Sequence, residues 1–158
     1  MSYRFILDGM LGSLARWLRI IGYDTLYYVD KKDEELIFEA NNTSRILVSR
    51  DHSLVQNSLK RETFAILINS DNIINQLCEI TETLDLNLSP KNTRCPRCNG
   101  SLKRIKKNLI REEIPEQSYK AFNKFWQCSV CNRIYWKGSH WIGILDTLKK
   151  IQWDSKYL

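Results

Sequence analysis

Residues 3–12, Tyr-Arg-Phe-Ile-Leu-Asp-Gly-Met-Leu-Gly, decide the fold. A short apolar strand over 3–7 stops at Asp8, and Gly9, Met10, Leu11 and Gly12 open a helical pattern. Apolar residues recur at Met10, Leu14, Trp17 and Ile21, and at Leu11 and Leu18, which makes one broad helix face. Gly22 fits the helix stop. The same punctuation recurs downstream. A strand at 25–29 precedes a helix through Asn41, with Asp33 as its N-cap and Leu36, Ile37 and Ala40 on one face. A strand at 45–49 runs into Arg50-Asp51 and a helix to about Arg61; a strand at 63–68 precedes a helix from about Asn72 to Leu84. Short apolar strands alternating with amphipathic helices predict an α/β fold, a parallel sheet covered on both faces.

Parallel sheets bind ligands outside the carboxyl ends of their strands. Asp8, Asp30, Asp51 and Asp71 each follow a predicted strand, and Asp33 opens the helix after the second. Right-handed crossovers place those strand ends on one edge, so carboxylates from separate regions of the chain converge there. Carboxylate oxygens are hard ligands suited to Mg²⁺ or Mn²⁺, and clustered carboxylates repel unless a cation sits among them. Metal-assisted phosphodiester hydrolysis needs neither a histidine base nor a serine nucleophile. In agreement, the chain has no phosphate-binding glycine loop, no G-x-S-x-G elbow and no H-E-x-x-H. Of its two histidines, His52 follows Asp51, and His140 is a candidate substrate contact; a structural or surface role is the alternative for each. Arg16 and Arg19 lie off the apolar face of the first helix, and Arg50 adjoins Asp51; each serves either a solvated face or a phosphate. Asp24 starts a strand and is left out of the set.

The 158 residues are 43% apolar and 27% charged, a globular balance. No apolar stretch approaches the roughly 20 residues needed to span a bilayer, and the N-terminus lacks a signal-peptide pattern. The expectation is a soluble, cytoplasmic protein with no membrane partner, its cysteines reduced. Residues 1–90 carry 9 Lys+Arg against 13 Asp+Glu, net −4, and residues 91–158 carry 15 against 5, net +10. A basic second part supplies salt-dependent attraction to a polyanion. Cys95-Pro-Arg-Cys98 and Cys128-Ser-Val-Cys131 are two C-x-x-C knuckles with 29 residues between them, which predicts one closed, structural four-cysteine zinc site. Cys78 stands alone and reads as a small buried apolar residue. The expected division is a first domain over 1–86, a linker over 87–93, and a zinc module with a closing helix over 94–158. Between the knuckles lies the basic run Lys103, Arg104, Lys106 and Lys107, and the module is rich in aromatic residues, Trp126, Tyr135 and Trp136 among them. These rings either pack or stack on exposed bases.

Four local patterns together resemble one family. They are Asp8-Gly-Met-Leu11 followed by Leu14-Ala-Arg-Trp-Leu-Arg19; Ile46-Leu-Val-Ser-Arg-Asp51; the paired knuckles with Asn99 after the first; and Tyr135-Trp-Lys-Gly-Ser-His140. The combination resembles the Mut-seven C-terminal domain family, over nearly the whole chain. The resemblance implies a PIN-like ribonuclease domain, a parallel sheet flanked by helices, joined to a small zinc ribbon. It implies Asp8, Asp33 and Asp51 as ligands of catalytic Mg²⁺ or Mn²⁺, with Asp71 a looser fourth acid and Asp30 a substitute for Asp33. RNA, single-stranded or structured, is the implied partner; from the residues themselves, Arg16, Arg19, Arg50, Lys103, Arg104, Lys106, Lys107 and His140 are the candidate contacts. The expected activity is in-line hydrolysis leaving a 5′-phosphate and a 3′-hydroxyl. The alternative is a non-catalytic RNA-binding or RNP-assembly adaptor keeping the same fold. A toxin-like nuclease held by an antitoxin draws on fold analogy alone.

Overall fold

A computed structural model describes residues 3–154. The chain forms two compact units, Met1–Asn99 and Gly100–Leu158.

In the first unit β1 (Arg4–Leu7) leads through a 3₁₀ turn at Gly9–Leu11 into α1 (Gly12–Ile20). Then follow β2 (Asp24–Tyr27), α2 (Asp33–Asn42), β3 (Ile46–Ser49), α3 (His52–Lys60), β4 (Ala65–Leu67) and α4 (Ile73–Leu84). All strand pairs are parallel, in the order β2-β1-β3-β4. The expected α/β sheet is therefore present. Its strands are apolar at most positions because helices cover both faces. One face packs Ile6, Leu47 and Leu26 against Leu36, Ile37 and Ala40 of α2 and Leu54 of α3. Strand alternation turns Phe5 and Leu7 to the opposite face, where α1 and α4 lie against each other.

Several boundaries differ from expectation by a residue or two. Asp33 is the first helical residue of α2 rather than its cap. Lys32 holds the cap position without a side-chain hydrogen bond, and Asp33, Glu34 and Glu35 complement the helix dipole instead. Met10 is 63% exposed, because the 3₁₀ turn rotates it off the apolar face of α1. Cys78 is half-buried on α4. Residues 87–93, expected as a linker, are tied to the first unit: Leu86 and Leu88 are buried, and the Tyr23 hydroxyl accepts from the Asn87 N–H at 3.0 Å.

The second unit holds an antiparallel sheet in the order β5-β6-β7, made of β5 (Leu102–Ile105), β6 (Phe125–Cys128) and β7 (Ile134–Trp136). A 3₁₀ turn at Lys107–Leu109 and the short helix α5 (Glu116–Ala121) fill the β5–β6 connection. Its small core is Ile110, Ile114 and Phe125, with Ile105, Tyr119, Phe122, Ile134 and Trp136 packed around it. The closing helix is α6 (Ser139–Asp154). Among the described residues no helix is long and apolar enough to cross a membrane.

Candidate active site and metal centre

The strand order fixes where a ligand belongs. From β1 the chain moves outward to β2, then returns to place β3 on the other side of β1. The crevice between the carboxyl ends of β1 and β3 is thus the topological switch point, the usual ligand site of an open parallel sheet. Asp8 ends β1 there. In the next strand Leu7 pairs with Val48, so Ser49 stands level with Asp8 and Asp51 lies two residues beyond.

Ser49 joins the two acids. Its hydroxyl donates to Asp8 Oδ2 and accepts from the Asp51 N–H at 2.9 Å, and it is fully buried. The other Asp8 oxygen accepts from the Met10 N–H at 3.1 Å. Asp51 caps α3: its Oδ1 accepts from the N–H groups of Ser53 at 2.7 Å and Leu54 at 3.2 Å. Asp8 is half-buried, whereas Asp51 is exposed. The β1–α1 loop is pressed against the exit of β2. A Cβ on Gly9 would stand 2.7 Å from the Val29 carbonyl oxygen, and the Tyr27 hydroxyl donates to the Gly9 carbonyl at 3.0 Å. Glycine is required there by close backbone approach.

The remaining acids sit at the same edge of the sheet with other engagements. Asp33 and Asp30 are exposed, at the start of α2 and in the loop before it. Asp71 lies four residues past β4, is 89% exposed, and pairs with Arg50. The loop carrying Asp71 is held by Glu79 of α4, whose carboxylate accepts from the N–H groups of Asn69 at 2.8 Å and Ser70 at 2.9 Å. Among the described residues no three carboxylates come close enough to share an ion. Asp8 and Asp51 alone are linked, through Ser49. That link reaches Asp51 through its backbone N–H, with the carboxylate turned to the α3 cap.

Sequence reasoning missed Ser49 and Glu79. Nothing in a linear reading separates Ser49 from any other strand-ending serine; its role depends on β1 and β3 being neighbours. His52 and His140 are both exposed, at the starts of α3 and α6. Arg16 is exposed on α1, as a phosphate contact requires.

Arg19 has a different role from the expected one. It is 6% exposed, and its guanidinium donates to three carbonyls: Thr25 at 2.9 Å, Pro96 at 3.1 Å and Arg97 at 3.1 Å. Burial lowers its pKa from the usual guanidinium value, opposed by the neighbouring Cys95 and Cys98. Arg19 is therefore a structural cation that seats the first knuckle. Asn99 completes the seat, accepting from the Thr25 N–H at 3.0 Å and donating to Asp24 Oδ1 at 2.7 Å. Asp24 in turn receives Arg45 in a bidentate pair at 2.9 and 3.0 Å. Burial alone would raise the Asp24 carboxyl, but the hydrogen bonds from Arg45 and Asn99 outweigh it and hold it below the ordinary carboxylate range. A lowered folded-state pKa contributes stability above the unfolded value of about 3.9, which is lost as pH falls through the folded value. Asp24→Asn should cost about 1–3 kcal/mol at pH 7, and the gap from the parent should shrink below about pH 4 in urea melts.

Each knuckle ends in an asparagine with positive φ, Asn99 at 68° and Asn132 at 58°, a region asparagine tolerates well. The Asn99 N–H bonds the Cys95 carbonyl at 2.9 Å and the Asn132 N–H bonds the Cys128 carbonyl at 3.1 Å, so the two turns are alike. Cys128 Sγ accepts from the N–H groups of Val130 at 3.4 Å and Cys131 at 3.5 Å. The ligand atoms of Cys95, Cys98, Cys128 and Cys131 all lie within 4.8 Å of one another. Tetrahedral zinc with bonds of about 2.3 Å needs sulfurs about 3.8 Å apart, so four soft thiolates at this spacing fit one zinc ion. A Cβ on Gly100 would stand 2.7 Å from Cys128 Sγ. Gly100→Ala should weaken zinc binding roughly 10- to 100-fold, measured by chelator competition.

A parallel sheet flanked by helices and a four-cysteine metal site together define the architecture of a PIN-like domain followed by a zinc ribbon. The chain belongs to the Mut7-C RNAse domain family, whose model matches residues 3–148. Membership points to ribonuclease-type chemistry, with RNA as substrate or partner. No curated protein and no solved structure matches the chain.

Proposed function

We propose that the protein is a divalent-metal-dependent ribonuclease acting at the crevice between β1 and β3, with the basic zinc ribbon assisting RNA binding. The observation that carries this reading is the Asp8–Ser49–Asp51 linkage at the switch point of the sheet. When bound, Mg²⁺ or Mn²⁺ supplies Lewis acidity that polarises a phosphodiester and acidifies water. Asp8 presents a carboxylate fixed by Ser49 and by the Met10 N–H. Asp51 keeps Oδ1 on the α3 cap and turns an exposed carboxylate edge to solvent. Asp33, the first residue of α2, would have to approach them on metal binding to take part. Asp71 would have to leave Arg50 to take part, and Arg50 so released is a cation for the scissile phosphate.

The Asp71–Arg50 pairing is also the observation that favours the second reading, an RNA-binding or RNP-assembly adaptor with the nuclease fold. A cleavage assay separates the two. Single-stranded RNA should be cut in Mg²⁺ or Mn²⁺ and left whole in EDTA. Binding with no metal-dependent cutting by the zinc-loaded protein would overturn the nuclease in favour of the adaptor.

A further inference from the structure

The basic run at residues 103–107, expected to track a nucleic-acid backbone, is divided by its strand. Successive side chains of a strand point to opposite faces. Ile105 pairs with Phe125 and Phe125 with Trp136, and all three belong to the core of the second unit. Their neighbours Arg104, Trp126 and Tyr135 are also in register, and they form the corresponding row on the opposite, outward face. Lys103 shares the core-side face with Ile105. Lys107 lies past the strand, its ammonium over the Tyr119 ring at 4.6 Å and bonded to Asn123 at 3.0 Å. Within β5, Arg104 is the member of the run that stands in the outward row; Lys106, extended and exposed just past the strand, follows on the same side by alternation.

That row has a further cation. Lys137 continues β7 two residues after Tyr135, and its ammonium lies 5.6 Å from the Trp126 ring centre and 4.8 Å from that of Trp141. Trp126, Tyr135 and Trp141 are half-buried, while Arg104 and Lys137 are exposed. Directly opposed residues on neighbouring strands have Cβ atoms about 4.5–5.5 Å apart, so the Trp126 and Tyr135 side chains are adjacent. Trp136, which the sequence placed with them, is turned into the core.

We propose that this outward face of the three-stranded sheet, centred on Trp126 and Tyr135 with Arg104 and Lys137 at its margins, is a stacking platform for unpaired bases of single-stranded RNA. The choice of occupant rests on charge and ring chemistry. Residues 91–158 carry net +10, which selects a polyanion, and adjacent aromatic rings beside cations suit a polyanion that exposes flat π-systems. Duplex RNA hides its bases and an acidic peptide has few rings, so neither uses the aromatic row. This inference deepens the ribonuclease reading and rests on RNA being the ligand, but it concerns binding and not cutting.

The test uses the full-length, zinc-loaded protein carrying Asp51→Asn, so that RNA stays whole. Fluorescence anisotropy with a labelled oligouridine should show binding that a duplex of equal length does not match. Trp126→Leu and Tyr135→Leu should each weaken oligouridine binding roughly 10-fold or more while leaving the salt slope unchanged. Arg104→Ala should lower the slope by about one unit, and Lys103→Ala should leave affinity and slope near those of the parent. Zinc content and circular dichroism establish that each variant is folded. Should Trp126→Leu lose zinc, crosslinking of 5-iodouridine RNA to the unsubstituted face, mapped by mass spectrometry, takes its place, and crosslinks should fall within residues 125–137. Equal binding of duplex and single strand, folded leucine variants with parental affinity, or crosslinks confined to other segments would each overturn the platform. Cleavage that needs Asp8 and Asp51 but ignores Trp126 and Tyr135 would remove the platform alone; stacking without any cleavage would remove the nuclease alone.

Discussion

Asp8→Asn and Asp51→Asn should each reduce metal-dependent RNA cleavage by more than about a hundredfold with the fold intact. Exchanging a mere supporting partner of a metal ligand costs about 10- to 100-fold, so loss of a ligand should exceed that. Asparagine keeps the shape of either side chain and its capacity to accept a hydrogen bond. Asp51→Asn can therefore still cap α3 through its carbonyl oxygen, and a large fall in activity would report lost charge rather than lost structure. Ser49→Ala should fall between the parent and the ligand variants, roughly 10- to 100-fold down, because it frees the Asp8 carboxylate without removing it. A positioning role predicts partial rescue by Ser49→Thr and by raised Mn²⁺. Rates of Asp8→Asn equal to the parent, at matched protein purity and metal concentration, would remove the site from the crevice.

Zinc removal should have the second large effect, extending into the first unit. Structural zinc binding is worth about 10–16 kcal/mol apparent, as much as the whole stability of a small domain. Cys98→Ser or a strong chelator should release the metal and loosen the first knuckle. That knuckle supplies the Pro96 and Arg97 carbonyls to Arg19 and is followed by Asn99, which bonds the Thr25 N–H. Its loss leaves a buried guanidinium short of acceptors, and such orphaned groups are costly. Hydrogen exchange should therefore accelerate at Thr25 and along α1 on chelation. Unchanged protection there would mean that residues 94–99 keep their seat without metal.

The regular part of the molecule was readable because its signals are local. Period-3.6 apolar faces and short apolar runs mark the four strand–helix repeats, and the knuckle spacing announces the thiolate cluster. Asp24 starts β2, as its position in the sequence suggests, and serves Arg45 and Asn99. What escaped depends on which segments become neighbours. Arg19 reads as a surface cation on α1, yet two of its three carbonyl partners lie 77 and 78 residues later. Met10 fits the helical face on paper, but a 3₁₀ turn precedes α1 and exposes it. Residues 103–107 look like one basic patch until a strand sends alternate members to opposite sides. Trp126 and Trp136 are equivalent in composition and opposite in placement, a distinction that only cross-strand register supplies.

The tight seam at Gly9 sets how the crevice can adapt. With the Val29 carbonyl filling the space where a side chain would stand, and Tyr27 clasping the turn, the β1 bank has no slack to yield to an incoming strand. Adjustment to ligands of different bulk has to come from the facing bank, the turns after β3 and β4, where Arg50 and Asp71 form a surface latch that can be undone. Selectivity on this scaffold should therefore be tuned by changes in those two turns, with the Gly9 turn acting as a fixed anvil.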